Sequence, residues 1–238
     1  MFVGKLTNGE DFHCNSCLTN HNLPTPTAIG LQPYAGRGKI TFVNEIFAAA
    51  VRRFDAENSR DPNLENGRPR ELLYAERLTS WVVKLCPAAS VPLRLAARCQ
   101  HICRWESPRE NYPMTRAGYL QWRAELKKFH AVKSGAILRE VGYDDDTIRR
   151  VQELNLKKNF PADRECCVLE DALCLVFLEF QFAPLAAKSD PDKMINALRK
   201  SWAKMTEAAR TEALQLNFGE REKKLIACAL QSNSASFS

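Results

Sequence analysis

Residues Glu165 to Phe182 read Glu-Cys-Cys-Val-Leu-Glu-Asp-Ala-Leu-Cys-Leu-Val-Phe-Leu-Glu-Phe-Gln-Phe, and this run decides the fold class. It is too long for a buried strand of ordinary length and shows no alternation of period two, so it reads as a helix. Spanning a bilayer takes about 20 apolar residues. The longest apolar stretch here, Ala172 to Phe182, is already interrupted by Glu179 and Gln181. The run is therefore expected to be the buried helix of a globular body, and no membrane association is expected.

Working outward, the same 3.6-residue period recurs. Phe42, Ile46, Phe47, Ala50, Val51 and Phe54 trace one face of a first helix. Asn58 to Pro69, with Pro62, Gly67 and Pro69, breaks the pattern before a second helix from Arg70 to Leu85. Ser90-Val91-Pro92 supplies an N-cap and a proline tolerated in the first turn of a third, whose Ala96 and Ala97 allow close approach of a neighbour. Thr115 is expected to cap a long helix to about Lys133, followed by a separate short one from Gly135 to Val141. Gly142 is a helix-stop signal, and Asp144 to Asp146 suit the start of the next helix, to Leu156. Asp190-Pro191 opens another through Leu198 and Trp202, and Thr206 and Phe218-Gly219 bracket the last pieces. No strand and no fixed repeat is expected. The prediction is an all-α, irregular multi-helix globular domain over residues 40–230.

Residues 1–39 carry prolines, glycines and polar residues without a period and are expected to be a disordered leader, as are residues 231–238 as a polar tail. The leader has no apolar core of a secretory signal. It contains His13-Cys14-x-x-Cys17-x-x-x-His21. Those are zinc-type donors, but no second pair follows at finger spacing, and a leader without a bound metal is the simpler reading. The nine cysteines show no disulfide framework, which suits a reducing compartment and a cytoplasmic location. A net charge of +6 favours phosphate-bearing ligands over cationic ones.

Three constellations carry chemistry. In the first, Arg104, Arg109, Arg116 and Arg123 alternate with Trp105, Tyr119 and Trp122. Guanidinium groups grip phosphate in a fork, and the rings offer stacking faces for a base or sugar. The competing reading makes the aromatics core and the arginines rim partners. In the second, Glu170 and Asp171 head the apolar helix; the helix dipole accounts for Glu170, whereas Asp171 needs a partner or a cation. The third is the pair His101 and His130, which with Asp171 would make a site for a divalent metal.

These blocks also carry a resemblance. Tyr74-Ala-Glu-Arg-Leu78, His101-Ile-Cys-Arg-Trp105, Tyr112-Pro113 to Arg123, Gly142-Tyr143-Asp144, Leu169 to Glu179 and Lys200 to Met205 together resemble an uncharacterised domain-of-unknown-function family. Its members often bear the label glutamyl-tRNA synthetase. The chain has neither the nucleotide-binding strand pattern nor the signature motifs of such an enzyme, so that activity is not expected. A looser resemblance is to the His-Asp phosphohydrolase superfamily, all-helical and metal-dependent. It implies His101, Asp171 and Glu170 as catalytic residues and His101, His130 and Asp171 as ligands of a divalent metal. Two of the usual ligand positions differ here, with Tyr74 replacing the first histidine and Gln100-His101 replacing the His-Asp doublet. The expectation is a protein binding a nucleotide or other phosphate-containing small molecule, with divergent phosphohydrolase activity as an extension. RNA binding or a scaffold role is the alternative.

Overall fold

The computed structural model describes residues 37–231. Most of the leader, with Cys14, Cys17 and His21, and the tail from residue 232 lie outside the described residues. The first helix, α1 (Arg37–Asn58), begins inside the stretch read as leader. Its Ala50 and Phe54 are fully buried. A two-stranded hairpin follows, β1 (Leu64–Glu65) and β2 (Arg68–Pro69), paired antiparallel with Leu64 opposite Pro69. The strands were not foreseen because two residues are too few to show alternation. The turn itself was marked by Gly67, at φ +75°, with Asn66 also left-handed at φ 52°.

α2 (Arg70–Leu85) and α3 (Val91–Cys99) form the centre with α6 (Arg164–Val176). Ser90 caps α3 by accepting from the Leu93 N–H at 3.2 Å. Leu93, Leu95, Ala96, Ala97 and Cys99 are all fully buried, as the small-residue pattern required. A bidentate pair from Arg98 to Asp55, at 2.6 and 2.7 Å, ties α3 to α1.

α4 (Arg116–Val141) runs unbroken past Ser134-Gly135, where a break was expected. Packing overrides local propensity here. α5 (Asp145–Leu156) lies against α4, and a Cβ on Gly135 would fall 2.4 Å from Gln152 Nε2 and 3.4 Å from Ile148 Cγ2. Gly135 lets the two helices touch, and the contact stabilises the helix through it by more than the roughly 1 kcal/mol that a mid-helix glycine costs.

α6 extends into a π-helical turn over Phe177–Gln181, then α7 (Phe182–Ala186). Pro184 offers no N–H to the carbonyl four residues back and would clash with it in a regular helix; the widened turn immediately before it eases that strain. α8 (Pro191–Lys204), α9 (Glu207–Leu214) and α10 (Glu220–Gln231) close the body. The architecture is all-α apart from the hairpin. No helix among the described residues is long and apolar enough to cross a membrane. Cys166 and Cys167 are both free thiols.

Candidate functional site

A cleft of about 500 Å³ opens between α4, α6 and α8, floored by the end of α3. Residues on α4 reach it by periodicity: Tyr119, Arg123, Lys127 and His130 fall on one face at intervals of three or four residues. On α8, Lys200 and Lys204 are one turn apart. Lys157 enters from the end of α5, in a left-handed conformation at φ 56°.

The end of α3 is shaped by a second left-handed residue. Cys103, at φ 51°, donates its N–H to Asn58 Oδ1 at 3.1 Å. This turn starts the short 3₁₀ segment Arg104–Glu106 and lays His101 and Arg104 against the cleft. The His101 ring stacks on Tyr74 at 4.1 Å and 16°. Arg104 Nη1 lies 3.3 Å from His101 Nε2 and 3.5 Å from Nδ1. His101 Nδ1 is 3.5 Å from Glu71 Oε2, too long for a firm hydrogen bond, and that buried oxygen has no hydrogen-bond partner. Gln100 Oε1 and His130 Nε2, both of residues lining the cleft, are buried without partners as well.

The electrostatics are one-sided. Six cationic side chains line the cleft (Arg104, Arg123, Lys127, Lys157, Lys200 and Lys204) against one carboxylate, Glu170. Lys157 pairs with one Glu170 oxygen, and Lys204 Nζ lies 3.4 Å from the other. Burial pushes the Glu170 pKa up, but the two lysines outweigh it and hold the group ionised below its ordinary range. Arg123, Lys127 and Lys200 make no ion pair among the described residues. Burial lowers the Lys127 pKa, and Lys157, Arg123 and Lys204 lower it further by repulsion. Burial likewise depresses His101 well below its ordinary value and takes His130 down to about 2, with nearby positive charge adding to both. Both imidazoles are neutral at neutral pH.

A second cleft of about 330 Å³ adjoins the first and shares Arg104 and Tyr119 with it. Trp105, Arg109, Arg116 and Trp122 line this one. Three of the four arginines, Arg104, Arg109 and Arg116, thus share this cleft, and Arg123 lines the first. Arg109 is spent on the loop itself, donating to the carbonyls of Tyr112 at 2.9 Å, Pro113 at 2.7 Å and Thr115 at 3.3 Å. Trp122 is buried and donates its Nε1–H to Ser107 O at 2.9 Å. These contacts are those of an arginine that ties down its own loop and of a core aromatic.

The residues named for a divalent metal are not brought together. Both Asp171 oxygens are taken by Thr206, from its N–H at 2.9 Å and its hydroxyl at 2.6 Å. Asp171 thereby anchors the residue that caps α9. His101 and His130, with ring centroids 5.7 Å apart, form no group of three metal donors among the described residues. Among the described residues the one group of three donors is Glu57, Cys103 and Glu106. The ammonium of Lys133 already sits there, 2.7 Å from Glu106 and 3.8 Å from Glu57. This donor set does not suit a divalent ion.

Sequence reasoning missed Lys127, Lys157, Lys200, Lys204 and Glu71. The four-residue spacing of Arg123 with Lys127, and of Lys200 with Lys204, was a readable sign of shared faces. Nothing local said that those faces look at each other.

No curated protein and no solved structure matches the chain. A family described as Domain of unknown function (DUF4202) matches residues 48–226, most of the chain, and the protein belongs to that family.

Proposed function

We propose that the chain binds a small molecule carrying several phosphate groups in the cleft between α4, α6 and α8. The observation that carries this reading is the set of three cations, Arg123, Lys127 and Lys200, that face one cleft without a carboxylate partner. Packing like charges together raises the free energy of the unliganded fold, and a polyanion recovers that energy. Neutral histidines add ring N–H groups that can donate to a phosphate oxygen.

Tripolyphosphate, titrated calorimetrically into the full chain, tests the reading. Binding is expected to weaken steeply with salt, and Lys127→Gln is expected to lower affinity about tenfold, as for one charge-assisted contact of about 1.5 kcal/mol. Because Lys127 is repelled by its neighbours, the same variant is expected to melt no lower than the parent. Lack of tripolyphosphate binding, or binding to RNA alone, would overturn the proposal.

A second reading adds hydrolysis. It is favoured by the placement of neutral His101 on the cleft wall beside the Glu71 carboxyl group. The water oxygen would bond to phosphorus as the leaving group's P–O bond breaks and the water's proton passes to a phosphate oxygen; the neutral His101 ring would donate an N–H to the phosphoryl oxygen. Phosphate release from tripolyphosphate that survives EDTA and vanishes in His101→Ala is the expected result. Release abolished by EDTA would point to a metal route and sink this version.

A further inference from the structure

The cleft is polarised along its length. Glu170, Lys157 and Lys204 mark one end. Midway, Cys174 Sγ lies 3.9 Å from Ser201 O, so α6 and α8 run antiparallel past each other. At the other end α6 has become the π-helical turn, and the lining changes from lysine to Leu173, Phe177 and Gln181, with Ala197 opposite on α8. Seven residues separate Glu170 from Phe177, about 10 Å of helix. That suits a phosphate chain and a pentose laid between them.

The π turn sets the chemistry of this end. The Phe182 N–H bonds to Phe177 O, five residues back. In so wide a turn, residues four and five apart stand nearly above one another, which puts Gln181 over Phe177. Phe177 is half-buried, its ring braced by Phe182 at a centroid distance of 6.1 Å. Gln181 is exposed, and its carboxamide makes no hydrogen bond among the described residues. A braced aromatic face beside a free amide, which both donates and accepts, matches a nucleobase: the ring takes the π face and the amide takes the edge. Inorganic polyphosphate would use neither.

We infer that the ligand is a nucleoside polyphosphate, its phosphates among Arg123, Lys127 and Lys200 and its base stacked on Phe177 with its edge at Gln181. This rests on the phosphate-binding reading above. The test compares the four ribonucleoside triphosphates with tripolyphosphate on the full chain. At least one nucleotide is expected to bind about tenfold tighter than tripolyphosphate, the size of one base stacked on an aromatic ring. Phe177→Leu, which keeps an apolar side chain against Phe182, is expected to erase that advantage and leave tripolyphosphate affinity unchanged. Gln181→Ala, on an exposed side chain, is expected to shrink it and to alter the ranking among bases. Equal binding of tripolyphosphate and all four nucleotides overturns the inference while leaving the phosphate site standing. So does a Phe177→Leu variant that weakens both kinds of ligand alike. If neither nucleotides nor tripolyphosphate bind, the phosphate reading itself fails and the base site falls with it.

Discussion

Glu71→Gln is expected to stabilise the protein at pH 8 by about 3 kcal/mol and to leave it unchanged below pH 4.5. Glu71 lies in the first turn of α2, buried, with Oε2 unpartnered. Burial raises its pKa from the ordinary 4.5 to about 7, an effect that Arg104 only partly offsets. The folded state therefore holds this proton more tightly than the unfolded chain does. Below pH 4.5 both states are protonated and the group is neutral to stability. Between 4.5 and about 7 the unfolded chain releases the proton first, so stability falls as pH rises, and above 7 the loss is complete. The interval corresponds to about 3 kcal/mol at 1.36 kcal/mol for each tenfold change in proton affinity. Glutamine fills the same volume and never ionises. Denaturant unfolding of the two proteins at pH 4, 6 and 8 measures the difference, in which the contributions of the depressed histidines largely cancel. A difference that does not grow with pH would show that Glu71 does not ionise at a cost to the fold.

Gly118→Ala is expected to destabilise by about 2–3 kcal/mol, although helix propensity argues the other way. Alanine gains about 1 kcal/mol over glycine inside a helix. Yet a Cβ at this position would lie 2.2 Å from Pro113 O, a backbone atom that no side-chain rotation can move. The same carbonyl accepts from Arg109 Nη2 at 2.7 Å. Relieving the clash means displacing the loop that Arg109 staples, which opens the second cleft and loosens Trp122 from Ser107. Overpacking of this kind costs roughly 1–3 kcal/mol or more, and the loss of loop hydrogen bonds adds to it. The midpoint of urea unfolding should drop, and limited proteolysis should cut first between Ser107 and Arg116. A variant as stable as the parent would mean that the loop yields freely at Pro113.

Much of the helical body is legible residue by residue. Ser90, Thr115, Asp144 and Thr206 are each helix caps with a side chain accepting a backbone N–H. Gly142 closes α4 in the left-handed conformation, as its place after an apolar run implied. Caps and stops are local, set by one side chain and its own backbone. The continuity of α4 through Gly135 was not legible, because it depends on how closely α5 approaches.

The same division holds at the site. His101, Arg104, Tyr119, Arg123, His130 and Glu170 do line the cleft, since each lies where a helix end or face had already marked it. Asp171 looked like a metal donor for a sound reason, namely that a buried carboxylate needs a partner; the partner is Thr206, 35 residues away. Arg109 looked like a phosphate ligand until the loop folded its own carbonyls around it. By itself the sequence determined that the body is helical, where most helices are capped, which face of each is apolar, and that the surplus charge is positive. Only the tertiary structure decided that lysines from α4, α5 and α8 gather around one carboxylate of α6. Periodicity fixes where a side chain stands on its own helix, and charge convergence depends on which helices pack together.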